Sequence, residues 1–288
     1  MIILAKKQIW FSLWGMTEDN LSIKDILEWY IAAGVEETAG SEPFALAKEI
    51  ENRPRPVPRA AESVVRPAVA AASAESDERR AITELAQATI NACKNARELC
   101  NSAQNLEELK QLVEKFDGCA LKLTATKTVF GYGCPTARVV FIGEAPGADE
   151  DRTGIPFVGR SGHLLDKILQ AAGLSREECF ITNVLPWRPP GNRTPTTAEV
   201  AVCLPFLKRQ IDLIKPDVLV LLGGSAANAL LENEEPISRM RGKWLDFKSL
   251  SGETIPVMAT FHPAYLLRNA GQKAKIWSDF LRLKKKLM

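Results

Sequence analysis

The 288-residue chain has no C-x-x-C pair, no G-x-G-x-x-G, no phosphate loop ending in G-K-[ST], and no internal repeat. Its six Cys, at 93, 100, 119, 134, 179 and 203, are scattered, a pattern that suits the reduced thiols of a cytosolic protein better than a disulfide framework. The missing glycine motifs exclude a dinucleotide-binding unit and a P-loop hydrolase. A net charge of only +2 excludes a chain that is basic throughout, so any nucleic-acid surface must be local. The apolar run at Met1–Met16 is broken by Lys6, Lys7 and Gln8 and is followed by no small-residue cleavage site. It is too short and too interrupted to span a bilayer, and a soluble protein is expected. Met16, just ahead of a well-capped helical segment, is an alternative natural start.

What is present is an apolar fraction of 46%, ample for a core. Residues 1–50 read as an N-terminal helical segment, with Ile23, Ile26, Leu27, Tyr30 and Ile31 at helical spacing. Residues 51–80 read as a Pro/Ala-rich linker containing Arg53-Pro-Arg-Pro-Val-Pro-Arg59, expected to be disordered. Residues 81–288 read as the main domain, with leading helices over 81–115. The first runs over Asp77–Cys100, and the second, Asn105–Lys115, opens on an N-x-E-E capping-box pattern.

From about Phe116 the texture alternates between apolar runs and amphipathic helices. Strands are predicted at Arg138–Ile142, Cys179–Asn183, Asp217–Leu222 and Ile255–Thr260, with helices at Ser161–Ala172, Thr197–Ile214, Gly224–Glu232 and Lys273–Lys286. Continuous apolar strands such as Val218–Leu222 imply a sheet covered on both faces. The expected fold is a three-layer α/β/α sandwich around a four-stranded parallel sheet.

Ligands of such sheets bind beyond the carboxyl ends of the strands. The first strand runs into Gly143–Gly162, a loop with five Gly, two Pro, four acids and one aromatic. The second ends on Thr182-Asn183, and the fourth on Thr260-Phe261-His262-Pro263-Ala264. A carboxylate, a carboxamide and an imidazole therefore converge on one edge. Taken singly, Phe157 would read as core, Asn183 as a turn residue and His262 as a structural imidazole; their convergence favours a site.

These residues, G-E-A-P-G, then E-D-x-x-G-x-P-F-V-G-x-x-G, I-T-N-V, R-P-P-x-N-R and H-P-A, in this order and spacing, resemble the family 4 uracil-DNA glycosylases over residues 116–288. The resemblance implies a DNA repair enzyme that flips uracil out of DNA and hydrolyses the N1–C1′ bond, releasing uracil and leaving an abasic site. It implies that Phe157 stacks on the base and that Asn183 pairs with its edge, donating to O4 and accepting from N3–H. His262 would aim an N–H at O2, where charge grows as the bond breaks. Glu144 would be the catalytic carboxylate, as general base or as electrostatic stabiliser of the oxocarbenium-like cation, with Ala145 standing where the best-known relatives carry Asp. Glu150 is either a filter against thymine's methyl group or a solvated loop acid, and Asp151 is a further candidate.

Backbone at Gly143, Ala145, Pro146 and Gly147, and the helix start near Ser161, is expected against uracil or DNA phosphate. Arg188, Arg193 and Arg268 complete the expected DNA contacts, Arg268 as minor-groove wedge or phosphate ligand. The Lys273–Lys286 helix is either part of the basic footprint or a solvated face, and His163 is assigned to surface or capping duty. The implied partner is uracil-containing DNA, met by a monomer in the cytoplasm at the nucleoid, with no membrane. Residues 1–115 suggest a docking element for a replication or repair partner. A damage-binding protein that lost catalysis is the alternative, disfavoured by the joint presence of Glu144, Asn183 and His262.

One family feature is broken. Most family 4 enzymes hold a [4Fe–4S] cluster on four Cys, and the matching positions here are Cys119, Lys122, Trp187 and Cys203. Two thiolates do not hold such a cluster, so no cofactor and no metal are expected. Packing, with a hydrogen bond or cation–π contact from Lys122 and Trp187, is expected in its place.

Overall fold

Unbroken apolar strands place the core on both sides of a single sheet. The computed structural model describes residues 68–288, with side chains from Thr83 onward. The expected helical segment at 1–50 and the linker up to residue 67 lie outside the described residues. The remaining part of the linker reading is corrected: helix α1 spans Ala68–Ser102 and opens on Ala68-Val-Ala-Ala-Ala72, a run rich in the strongest helix former. Helix α2 (Leu106–Lys115) follows, its N-cap Asn105 accepting from the Glu108 N–H as the capping pattern predicts. Among the described residues no helix is long and apolar enough to cross a membrane.

The sheet has six strands in the order β1-β3-β2-β4-β6-β5. Its centre is the expected parallel set: β2 (Val139–Gly143), β3 (Phe180–Asn183), β4 (Val218–Leu222) and β6 (Thr254–Thr260). Two antiparallel edge strands extend the four-stranded sheet read from the sequence. They are β1 (Tyr132–Gly133), against β3, and β5 (Trp244–Lys248), which follows the short helix α7 (Ile237–Met240) and pairs with β6. β1 has only two residues, and β5 is buried on one side only, through Leu245 and Phe247. Such edges carry little of the continuous apolar signal that marks the central strands.

Successive strand residues face opposite sides, and the two halves of the core follow that rule. Val140, Ile142, Leu219, Leu221 and Val257 pack under α1, α2, α5 (Thr197–Ile214) and α6 (Gly224–Leu231). Phe141, Val218, Val220 and Met258 pack under α4 (Arg160–Ala172) and α9 (Lys273–Leu287). From β2 the chain moves to one side for β3 and returns to the other side for β4. The carboxyl end of β2 is therefore the switch point at which an open α/β sheet forms its crevice. Gly143 and Asn183, the last residues of β2 and β3, lie opposite each other in the ladder, and Leu222 of β4 lies opposite Thr260 of β6.

Candidate functional site

The crevice beyond these strand ends holds a cavity of about 480 Å³. Glu144, Ala145, Pro146, Gly147, Glu150, Phe157 and Ser161 line it from the loop after β2, Asn183 from β3, and His262 and Arg268 from the segment after β6. Gly143 backs this wall: a Cβ there would lie 2.6 Å from Phe157 Cζ and would overlap Asn183 Oδ1. Only a residue without a side chain lets the ring and the carboxamide meet at this strand end.

The Gly143–Gly162 loop is not open coil. It contains a short helix, α3 (Ala148–Thr153), whose N-cap is Gly147. The buried Glu150 carboxylate accepts from the N–H groups of Val158 and Gly159 at 3.0 Å each and of Gly147 at 3.1 Å. A carboxylate so saturated braces the loop from within. The solvated-acid alternative for Glu150 is thereby corrected, because burial is tolerated once backbone donors surround the charge. Asp151 is also buried, but it accepts from Thr126 N–H at 2.7 Å and Thr126 Oγ1 at 3.0 Å, tethering the segment before β1. It does not line the cavity.

Phe157, 5% exposed, has φ +54°, in the left-handed region that a side-chain-bearing residue seldom adopts. That conformation is disfavoured by roughly 1–3 kcal/mol and persists only where the surroundings over-determine it. Gly162 contributes, since a Cβ there would collide with the Phe157 carbonyl. The ring centroid lies 5.6 Å from that of His262, tilted by 31°.

His262 is the N-cap of α8 (Pro263–Arg268), and its Nδ1 accepts from the Ala264 N–H at 3.1 Å. An acceptor at Nδ1 leaves the proton on Nε2. Burial lowers the imidazole pKa from 6.5 to about 4, with Arg268 adding to the shift. The ring is therefore a neutral Nε2–H donor on the cavity wall at neutral pH. Glu144, half-buried, makes no side-chain hydrogen bond among the described residues, so its carboxylate is available to the cavity.

The strand end beneath His262 is held by residues that no motif announced. Thr260 Oγ1 donates to Asp279 Oδ2 at 2.7 Å, and Arg241 Nη2 donates to Asp279 Oδ1 at 2.6 Å. Burial raises the Asp279 pKa, against the pull of Thr260 and Arg241. Pro189, Asn192, Thr194, Ala264 and Tyr265 also line the cavity, and all sit inside or beside the motifs already identified. His163 is exposed on α4, as its surface assignment requires.

The basic residues differ in state. Arg193 is on the rim, yet it binds Glu199 through two bonds, of 2.6 and 2.9 Å. Arg188 is off the cavity, its Nε donating to Asn192 Oδ1 at 2.7 Å. Arg268 is exposed on the rim beside His262.

Of the four positions that match the cluster ligands, Cys119, Trp187 and Cys203 lie in the core half under α1, α2, α5 and α6. The Cys119 and Cys203 thiols are buried with their Sγ atoms 3.9 Å apart. Trp187 is 1% exposed, stacks on Phe116 with centroids 6.5 Å apart, and donates its indole N–H to Thr128 Oγ1 at 3.1 Å. Lys122 pairs with Asp117 at 2.7 Å. Of the two substitutes expected, a hydrogen bond or a cation–π contact, Trp187 makes the hydrogen bond. Two thiols, an indole and an ammonium do not fit a four-thiolate cluster. Among the described residues no group of three or more His, Cys, Asp or Glu is placed to hold a metal ion.

The chain is also similar to known proteins. The family model described as "Uracil DNA glycosylase superfamily" matches residues 130–281. The chain is 44% identical over 171 residues to the Type-4 uracil-DNA glycosylase of Thermotoga maritima, covering 59% of this chain and 87% of that protein. It is 40% identical over 184 residues to the Type-4 uracil-DNA glycosylase of Archaeoglobus fulgidus, covering 62% and 92%. A Type-5 uracil-DNA glycosylase of Thermus thermophilus is 35% identical over 120 residues, covering 36% and 54%. With its cavity at the switch point of the sheet and this likeness along the whole catalytic region, the chain belongs to the uracil-DNA glycosylase superfamily.

Proposed function

We propose that the protein excises uracil from DNA by hydrolysing the N1–C1′ bond, with water as nucleophile. The observation that carries this reading is the meeting of Glu144, Phe157, Asn183 and His262, from three strand ends, on one cavity. A flipped base enters that cavity and stacks on Phe157. Asn183 donates to O4 and accepts from N3–H; cytosine presents the opposite pattern and would leave buried polar groups unpaired, at about 1–3 kcal/mol each. The neutral His262 donates Nε2–H to O2 as charge accumulates there, a contribution of about 3–4 kcal/mol for a donor of this kind. Glu144 faces the sugar, where its carboxylate stabilises the developing cation and orients the attacking water. Glu150 braces the wall and presents its side against C5, where thymine carries a methyl group.

DNA phosphates are assigned to the N–H groups at the α4 start near Ser161 and to Arg188 and Arg268, because the Gly147 N–H is taken by Glu150, Pro146 has none to give, and Arg193 is held by Glu199. No cluster is assigned, on the strength of the incomplete thiolate set. Stoichiometric iron with a visible absorption band in purified protein would overturn that part. A monomer that acts in the cytoplasm and docks a partner through its N-terminal segment completes the reading.

The test is excision from uracil-containing single- and double-stranded oligonucleotides, read as alkali-labile sites on a gel. Free uracil and abasic DNA are expected, with sharply reduced turnover by Asn183→Ala. Binding without product would support an inactive damage binder, and normal excision by Asn183→Ala would refute the pocket assignment.

A further inference from the structure

We propose that Arg176 is a positioning residue that sets the stacking face of Phe157; this rests on the reading of the cavity as the uracil site. Arg176 lies in the turn between α4 and β3, with its side chain 15% exposed, and does not line the cavity. Its Nη1 donates to the Pro156 carbonyl at 2.9 Å and its Nη2 to the Phe157 carbonyl. Its Nε donates to Asp166 Oδ1 at 2.9 Å. Two successive carbonyls and one carboxylate thus occupy three edges of a single planar cation. A guanidinium is shaped for that task and an ammonium is not.

The bonds fall where the backbone needs them. Phe157 carries φ +54°, and a residue with a Cβ relaxes from that region unless it is held. Relaxation would turn the Phe157 carbonyl away from Arg176 and swing the ring off the Gly143 surface and away from His262. Asp166, on the first turns of α4, fixes the guanidinium from behind and neutralises it. Gly162, one turn earlier on the same helix, leaves room for the carbonyl that Arg176 grips. The clamp therefore refers the ring to the rigid start of α4 instead of to the loop that carries it. Arg176 also lies over the Tyr132 ring, 5.9 Å from the centroid, which joins edge strand β1 to the same clamp.

The test is a double-mutant cycle on the full chain. Arg176→Met and Arg176→Lys are made in the natural background and in Phe157→Ala, with single-turnover excision of uracil and melting temperature measured for each. Arg176→Met is expected to slow excision by roughly tenfold to a hundredfold, the scale of a misplaced binding element. Arg176→Lys recovers part of the rate, because it keeps the Asp166 pair and at most one carbonyl bond. In the Phe157→Ala background, Arg176→Met changes the rate by less than about twofold while still lowering the melting temperature. Should Arg176→Met fail to fold, Arg176→Lys carries the same comparison. Equal losses in both backgrounds, with Phe157→Ala itself strongly impaired, overturn the Arg176 assignment alone. Unchanged rate and selectivity in Phe157→Ala overturn the cavity reading and this assignment with it.

Discussion

The wall of the cavity and the Trp187 corner are built from the same chain by opposite means. The wall is polar and strained: Glu150 holds three backbone N–H groups, Asp151 tethers Thr126, and Phe157 sits at a left-handed φ. The corner is apolar and relaxed: Trp187 packs on Phe116, which meets Phe206 edge-on at 5.0 Å, beside two buried thiols. A protein interior left to apolar contacts closes to crystal-like density. A space meant for a flipped base must therefore be held by directional bonds, whereas a space with no guest is filled by the largest side chain that fits. The wall holds the cavity and yields in geometry when disturbed; the corner holds the fold and yields in stability.

Four measurements break or sharpen that contrast, in descending size. Trp187→Ala removes the largest fully buried side chain among the described residues and is expected to destabilise the fold by about 3–5 kcal/mol in denaturant titration. At a temperature where the variant stays folded, its single-turnover rate should remain close to the natural one. A large rate loss would mean that the corner also shapes the cavity. His262→Ala should do the reverse, losing about 3–4 kcal/mol of transition-state stabilisation, a hundredfold or more in kcat, against only the roughly 1 kcal/mol of stability that its cap on α8 supplies.

Next comes pH. The unfolded chain protonates His262 near 6.5 and the folded chain only near 4, so the unfolded state binds more protons between these values. Stability from this group is complete above pH 6.5 and is lost as pH falls toward 4, by up to about 3 kcal/mol. The loss should be missing in His262→Asn, and kcat should show no inflection near 6.5 from this residue. The smallest effect is expected from Glu150→Gln, which keeps two acceptor contacts and spoils the one to Gly147, at about 1–2 kcal/mol of stability. Gain of thymine excision by Glu150→Ala would add the methyl filter to its role as a brace.

What the sequence made legible was chemistry that is local along the chain. Glu144, Asn183 and His262 each follow a continuous apolar strand, and the strand order brings such ends to one edge. The central strands were legible because burial on both faces leaves an unbroken apolar run. Edge strand β1 has two residues, too few for any period to register. Contacts formed across distant segments were also hidden. Arg176 meets carbonyls 19 and 20 residues before it, and Asp279 meets Thr260 19 residues before it. Neither partner differs locally from an ordinary charged residue of a turn or a helix. Glu150 was visible as an acid, but its use as a backbone acceptor depends on how the loop folds over it.

The pairing of Arg193 with Glu199 bears on how tightly this surface responds to ionic strength. Glu199 clasps the guanidinium and at the same time accepts from the Thr196 N–H at the start of α5, so its carboxylate is anchored. The pairing holds Arg193 above, and Glu199 below, their ordinary pKa values. An arriving phosphate at this point meets a closed zwitterion, which releases few condensed counterions from the duplex. The log–log salt dependence of DNA binding should then be shallower, by about 0.9, than a count of rim arginines implies. Glu199→Gln, by unclasping Arg193, would restore that slope, so one helix-capping carboxylate sets how many ions the protein displaces when it settles on DNA.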